Sequence, residues 1–271
     1  MFGAVSLGLS YGLPRAAGVA NEAPSDTEVE SLVERALELG ITTFDTAPAY
    51  GNSEERLGRV LGARGRVWTK VASGDPSASL DQSLARLRRS RVELLQWHNW
   101  TAPLARDAAW TSAWSRLRGD ARVTQLGATT YGIDDAVAAL RSGLFDVIQC
   151  EFNLLRQGVV TALGGRITTA VRSVLLQGAL TDEGRALPDR PTLRAGIARV
   201  RAVSPRVTRL ALRAALEHPA IAHVLVGIDR IAQLDEAVAI ASSDALSGAE
   251  RAAILSLDLG DDPASDPRTW R

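Results

Sequence analysis

Short apolar runs of β-type alternate with longer runs of helical period eight times along this 271-residue chain, and that alternation limits its fold more than any other feature. The predicted strands are Ala4–Leu9, Ile41–Thr46, Arg66–Val71, Val92–His98, Val123–Thr129, Phe145–Cys150, Thr168–Leu175 and Ala222–Gly227. The predicted helices are Asp26–Leu39, Glu54–Leu61, Ser79–Arg88, Ala105–Arg118, Asp134–Arg141, Gly158–Leu163, Val207–Leu216 and Ile231–Ala241. Ser25, Ser53 and Asp134 stand where three of these helices should begin, because a short side-chain oxygen satisfies a free amide of the first turn. The strands are apolar throughout rather than alternating, the pattern of a parallel sheet covered on both faces. Eight such units predict an α/β fold, a (β/α)8 TIM barrel forming a single domain over residues 1–271. An open doubly wound sheet is the rival. It is weakened because Gly8-Leu9-Ser10-Tyr11-Gly12 does not fit the G-x-G-x-x-G turn of dinucleotide-binding sheets. The polar, proline-bearing run Thr181–Arg194 is expected to be a loop after the seventh strand, of a length that often closes over a site.

Basic and acidic residues balance at 31 each, so no charge surplus points to nucleic acid or to an anionic membrane surface. The longest basic cluster, Arg86 to Arg91, ends a predicted helix, where cations suit the dipole. The single cysteine, Cys150, excludes an internal disulfide and a cysteine-rich zinc site, and no metal is expected. The amino terminus lacks the basic segment of a signal peptide, and no apolar run is long enough to cross a bilayer. The expected compartment is the cytoplasm.

Thirty of the 31 basic residues are arginine and one is lysine, Lys70. Arginine is permanently charged and forked, whereas lysine is a compact ammonium whose pKa can be tuned. A chain that uses arginine everywhere else points to chemistry at Lys70. In a barrel the C-terminal strand ends face the active site. The second strand ends at Asp45 with Tyr50 in the following loop, the third at Lys70 and the fourth at His98. Three adjacent strands therefore bring a carboxylate, a phenol, an ammonium and an imidazole to one rim. His218 at a helix end and His223 at a strand start have structural readings. A phenol is a weak acid, with an ordinary pKa of about 10, and a nearby ammonium lowers it. The carboxylate fixes the ammonium, and the imidazole orients a carbonyl oxygen. Such a set protonates that oxygen while hydride arrives at the carbon. No side chain supplies hydride, so a nicotinamide cofactor is implied.

The run from Gly40 to Glu54, with Phe44-Asp45-Thr46-Ala47-Pro48-Ala49-Tyr50-Gly51, resembles the principal signature of the aldo-keto reductase superfamily. Lys70 and His98 complete its tetrad in the expected order. Leu7 to Gly12 resembles its first strand, and Arg172 to Gly178 and Asp266 to Trp270 resemble a bacterial branch. The resemblance implies that Tyr50 is the general acid, that Asp45 and Lys70 tune it, and that His98 positions a small-molecule carbonyl substrate. It implies NADPH, with NADH the alternative, extended across the barrel mouth. Gly8 and Leu9 would meet the cofactor. Thr129 and Thr130 replace the usual Ser-Asn pair at the nicotinamide carboxamide, and Gln149 matches a glutamine that bonds the same amide. Arg172 replaces a stacking aromatic residue; its guanidinium would stack on the nicotinamide and disfavour the oxidised form, or point outward into a salt bridge. Ser173, Leu175, Gln177 and Gly178 would line the pyrophosphate path.

Gly227, Asp229, Arg230, Gln233 and Glu236 would hold the adenosine end. Arg230 suits a 2′-phosphate, and Asp229 suits a free ribose hydroxyl instead. Tyr11, Trp100 and the loop Thr101–Trp110 are expected to wall the substrate mouth, and Trp97 to face the helices. Two other readings stay open. In one, Lys70 is a Schiff-base nucleophile of a lyase, which the charged partner Asp45 disfavours because the amine must be neutral. In the other, the barrel binds nicotinamide as a sensor or subunit.

Overall fold

The computed structural model describes residues 1–15 and 21–270. Its strands are β1 (Phe2–Gly3), β2 (Thr43–Asp45), β3 (Arg66–Val71), β4 (Val92–Trp97), β5 (Val123–Thr129), β6 (Val147–Glu151), β7 (Thr168–Arg172), β8 (His223–Val224) and β9 (Val226–Gly227). All pair in parallel, in the order β8-β7-β6-β5-β4-β3-β2-β1-β9. The last two are halves of the eighth predicted strand, parted at Leu225. The first half pairs with β7 and the second with β1, so the sheet closes on itself and the open rival is excluded.

The helices are α1 (Val5–Gly8), α2 (Asp26–Glu38), α3 (Ser53–Leu61), α4 (Pro76–Leu87), α5 (Ala108–Arg116), α6 (Ile133–Ser142), α7 (Gly158–Leu163), α8 (Pro191–Val203), α9 (Val207–Leu216), α10 (Ile231–Ala241) and α11 (Gly248–Leu255). No helix among the described residues is long and apolar enough to cross a membrane.

The barrel interior is layered by the two-residue period of its strands. Trp68, Leu94, Val147, Ala170 and Leu225 form an apolar plug at one level. Two residues further along the same strands come Lys70, Gln96, Gln149 and Arg172. A polar floor therefore lies on an apolar base, at the strand ends where chemistry is expected. The other faces of the strands pack on the helices in a larger core. Trp97 belongs to it, edge-on to Trp110 and Trp114 at 5.0 and 5.9 Å.

Several expectations need correction. The first strand is only Phe2–Gly3, and Val5–Gly8 turns into a short helix instead of extending to Leu9. Pairing with Phe44 and Asp45 brings β1 to the rim, where Leu7 N donates to Ala4 O and Ser6 Oγ to Ile228 O. Ser25 caps α2 in a reciprocal box with Glu28. Ser53 is not a cap: it is the first residue of α3, buried, and its hydroxyl donates to Ala4 O at 2.8 Å. Asp134 lies inside the first turn of α6, behind Gly132. The loop after β7 ends at Arg190, because Pro191 starts α8 at a position where its missing N–H costs nothing. The seventh strand stops at Arg172, because Ser173 adopts a left-handed φ of 62°.

Candidate active site

The polar floor is tightly bonded. Lys70 Nζ donates to Asp45 Oδ2 at 2.6 Å and to Thr46 O at 2.8 Å, and is 1% exposed. The other oxygen, Asp45 Oδ1, accepts from Gln96 Nε2 at 3.0 Å and Gln149 Nε2 at 2.8 Å. The ammonium lies 4.8 Å from the centroid of the Tyr50 ring. Tyr50 and His98 meet edge-on, centroids 5.9 Å apart. Asp45, Tyr50, Lys70 and His98 are thus brought together.

Burial and neighbouring charge shift Lys70, Tyr50 and His98 in different directions. Burial penalises the Lys70 ammonium, but Asp45 and Tyr50 outweigh that and hold its pKa above the ordinary lysine value. Burial pushes the Tyr50 phenol up, against the opposing pull of Lys70. This corrects the expectation that the ammonium would leave the phenol more acidic: desolvation wins, and the phenol keeps its proton. Burial, reinforced by Lys70, lowers His98 to about 4, so its imidazole is neutral near neutral pH.

Gly8 and Leu9 do not line the cleft beside this floor; Gly3, Ala4, Val5 and Ser6 wall it there. Gly8 has a different task. A Cβ at Gly8 would stand 1.9 Å from the Tyr50 carbonyl oxygen, so only glycine lets α1 pack against the loop that presents the phenol. Trp100 is also corrected. It is fully buried, edge-on to Phe145 at 5.5 Å, and belongs to the core rather than the mouth. Tyr11 is half exposed and does line the cleft.

The cleft, of ≈ 370 Å³, runs from His98 and Asn99 to Glu236 and Ala237. Thr129, Gln149, Arg172, Ser173, Leu175, Gln177, Gly178, Gly227, Asp229, Gln233 and Glu236 line it. Thr130 is buried and does not line the cleft, its hydroxyl without a partner among the described residues. Gln149 has committed its Nε2 to Asp45, so its Oε1 is the atom it can offer a ligand. Arg172 points inward. Its Nη2 donates to Thr130 O at 2.9 Å, and its guanidinium lies 3.8 Å from the centroid of Tyr131. Its acidic neighbour, Glu151, is 3.9 Å away inside the barrel mouth, so the salt bridge exists but does not face outward.

The turn after β7 is strained. Ser173, Leu176 and Gln177 all have left-handed φ, of 62°, 46° and 55°. Such conformations cost about 1 kcal/mol or more each and cluster at functional sites. Leu13 N donates to Gln177 O, and Ala186 N to Pro14 O, so two loops are tied across the cleft. At the far end Arg15 Nη2 holds Asp229 at 2.9 Å, and Arg230 lies 3.4 Å from Glu183 and 3.6 Å from Asp229. Arg185 lines the same end. Arg15 and Arg185 carried no signal in the sequence; both sit in irregular loops, and Arg15 is 214 positions from the residue it pairs with.

The model of the Aldo/keto reductase family matches residues 2–258. An L-galactose dehydrogenase of Arabidopsis thaliana is 29% identical over 251 residues, covering 79% of this chain and 78% of that protein. An aldo-keto reductase of Mycolicibacterium smegmatis is 30% identical over 176 residues, covering 58% of this chain and 61% of that one. In fold, the chain is similar to an aldo-keto reductase of Bacillus halodurans in its holo form, with a TM-score of 0.78 at 22% identity over 94% of this chain and 90% of that one.

Proposed function

The chain belongs to the aldo/keto reductase family, and on that premise we propose that it reduces an aldehyde or ketone to an alcohol, with Tyr50 as the proton donor. The observation that carries this reading is the Lys70–Asp45 pair, closed at 2.6 Å beneath Tyr50 and His98. When bound, a reduced nicotinamide would supply hydride to the carbonyl carbon. The chain does the rest. Neutral His98 donates an N–H to the carbonyl oxygen and sets its direction. Tyr50 holds its proton until charge develops on that oxygen, then gives it up to complete the alcohol. The ammonium beneath the ring stabilises the phenolate that is left.

The residues present suit an extended dinucleotide. The cleft is long, a strained turn rims its middle, and a Cβ at Gly227 would meet nothing within 4 Å. Thr129, Gln149 and Asn99 would face the carboxamide, and Ser173 to Gly178 the diphosphate. NADPH is the cofactor we infer, because Arg15, Arg185 and Arg230 gather where a 2′-phosphate would lie and Arg15 already neutralises Asp229. NADH is the second reading, favoured by Asp182, Glu183 and Glu236 at that same end. The Schiff-base reading is disfavoured by a lysine held in its charged form.

Tryptophan-fluorescence titration with NADPH and NADH, followed by turnover on a panel of aldehydes and ketones, tests the proposal. Saturable binding with carbonyl-dependent oxidation of the cofactor is expected. Binding without turnover on any carbonyl would favour the sensor reading, and no binding would end the nicotinamide premise.

A further inference from the structure

Gln96 sits in the polar floor without a part in the proposed reaction. It is fully buried and does not line the cleft, so it can act on a ligand only through its neighbours. On β4 it stands level with Lys70 on β3 and with Gly127 on β5. Gln149, on β6, is level with Thr129, two residues further along β5. The missing side chain at Gly127 lets the two glutamines meet across the strand between them. A Cβ there would press on Gln96 Cγ at 3.2 Å and on Val147 O at 3.0 Å.

The meeting point is Asp45. A carboxylate oxygen only accepts, so both glutamines must turn their NH2 groups to Oδ1, which they reach at 3.0 and 2.8 Å. Gln149 Nε2 also donates to Gln96 Oε1 at 3.2 Å, and this closes a ring of three side chains. The ring holds one oxygen of Asp45 while Lys70 holds the other. The Lys70 ammonium has three N–H groups. Asp45 Oδ2 and Thr46 O take two, and the third is left for Tyr50, whose pKa a hydrogen bond from Lys70 pulls down against burial. A carboxylate free to turn about its Cβ–Cγ bond could draw that third N–H to Oδ1. The amides that occupy Oδ1 prevent it.

We propose that Gln96 is a positioning residue for carbonyl reduction: together with Gln149 it fixes the Asp45 carboxylate so that Lys70 keeps one N–H for the Tyr50 oxygen. The inference rests on the carbonyl-reduction reading and deepens it with a residue that touches neither carbonyl nor nucleotide.

The test compares Gln96→Met, which fills the space without a donor, with Gln96→Glu. The readouts are kcat for 4-nitrobenzaldehyde over about pH 5 to 8 and the affinity for NADPH and NADH by tryptophan fluorescence. In Gln96→Met, kcat should fall by about tenfold or more across the range, as expected for a lost hydrogen bond to a charged acceptor, with cofactor affinity within about twofold of the wild type. A glutamic acid that keeps its proton reproduces the amide: its O–H donates to Asp45 Oδ1 and its carbonyl accepts from Gln149. Ionised, it sets a second anion against Asp45. Burial and Asp45 raise its pKa, while Lys70 and Arg172, the cations of the floor, oppose them. Gln96→Glu should therefore work nearly as well as the wild type at the acid end and fall toward Gln96→Met as pH rises. His98 titrates below this range and Tyr50 above it. A kcat for Gln96→Met within about twofold of the wild type overturns the inference. So does a loss of cofactor affinity in step with kcat, which marks a merely structural role, or a Gln96→Glu profile parallel to that of Gln96→Met. In each of these cases the reductase reading stands. No turnover by the wild type on this aldehyde or on any other carbonyl of the panel, with either cofactor, removes both. If Gln96→Met does not fold, Gln96→Asn, which keeps the amide but withdraws it by a methylene, takes its place with the same expectation.

Discussion

The two ends of the cleft are built on opposite principles. At the catalytic end Lys70, Asp45, Gln96 and Gln149 are buried and joined by bonds of 2.6 to 3.0 Å on rigid strands. At the far end Arg15, Arg230 and Glu183 stand on loops, with side chains 40%, 43% and 64% exposed. A buried network holds one geometry, because losing either partner leaves an uncompensated charge in a poor dielectric. Exposed pairs are worth little by themselves and are screened by salt. They can exchange partners with an arriving phosphate at small cost. The proposed chemistry sits where the protein cannot move, and the proposed handle of the cofactor where it can.

The sharpest break of this comparison is Tyr50→Phe. It should lower kcat by about a thousandfold, the usual worth of a general acid, while cofactor affinity by fluorescence stays nearly unchanged. Lys70→Arg comes next. Charge is kept, but a fork cannot occupy the site of an ammonium bonded to Asp45 and Thr46 O, so kcat should fall by at least about a hundredfold and the melting temperature should drop. A variant that melts like the wild type would show the floor to be less rigid than drawn.

His98 gives a pH test. Its pKa is lowered to about 4 in the fold, so between the ordinary histidine value of 6.5 and about 4 the unfolded chain binds the extra proton and the native state does not. Stability contributed by neutral His98 is therefore full above 6.5 and is lost as pH falls through this window. Thermal melts should decline over that range, and less so in His98→Gln. Activity should hold until pH approaches 4, because protonated His98 repels Lys70.

The smallest effects belong to the exposed end. Arg230→Ala should weaken NADPH by about tenfold, the loss of one charge-assisted bond, with NADH little changed. Arg15→Ala should alter stability by less than about 1 kcal/mol. A large melting shift in either variant would erase the contrast between the two ends.

How far the sequence reaches follows the same division. The strands were legible because both their faces are buried, and Lys70 because the chain has no other lysine. The first strand was misplaced because Val5 and Leu7 pack in a helical turn, which an apolar run of this length does not distinguish from a strand. Trp100 follows a strand end, where a side chain can face core or mouth, and only Phe145, distant in sequence, decides. Gly8 looked like a ligand contact, whereas it leaves room for the carbonyl of Tyr50. Arg15, Arg185 and Arg156 lie in loops whose partners are fixed by tertiary closure. No local pattern announces them.

The seam between β1 and β9 joins residues 2 and 226. During synthesis β1 emerges first and pairs on one side with β2, while its outer edge waits for residue 226 before it can pair. An unpaired edge is a template for association with other chains. A nascent or prematurely terminated product that stops short of β9 would thus carry an open edge for other chains to join. The order of translation therefore delays closure of the barrel until β9 has been made.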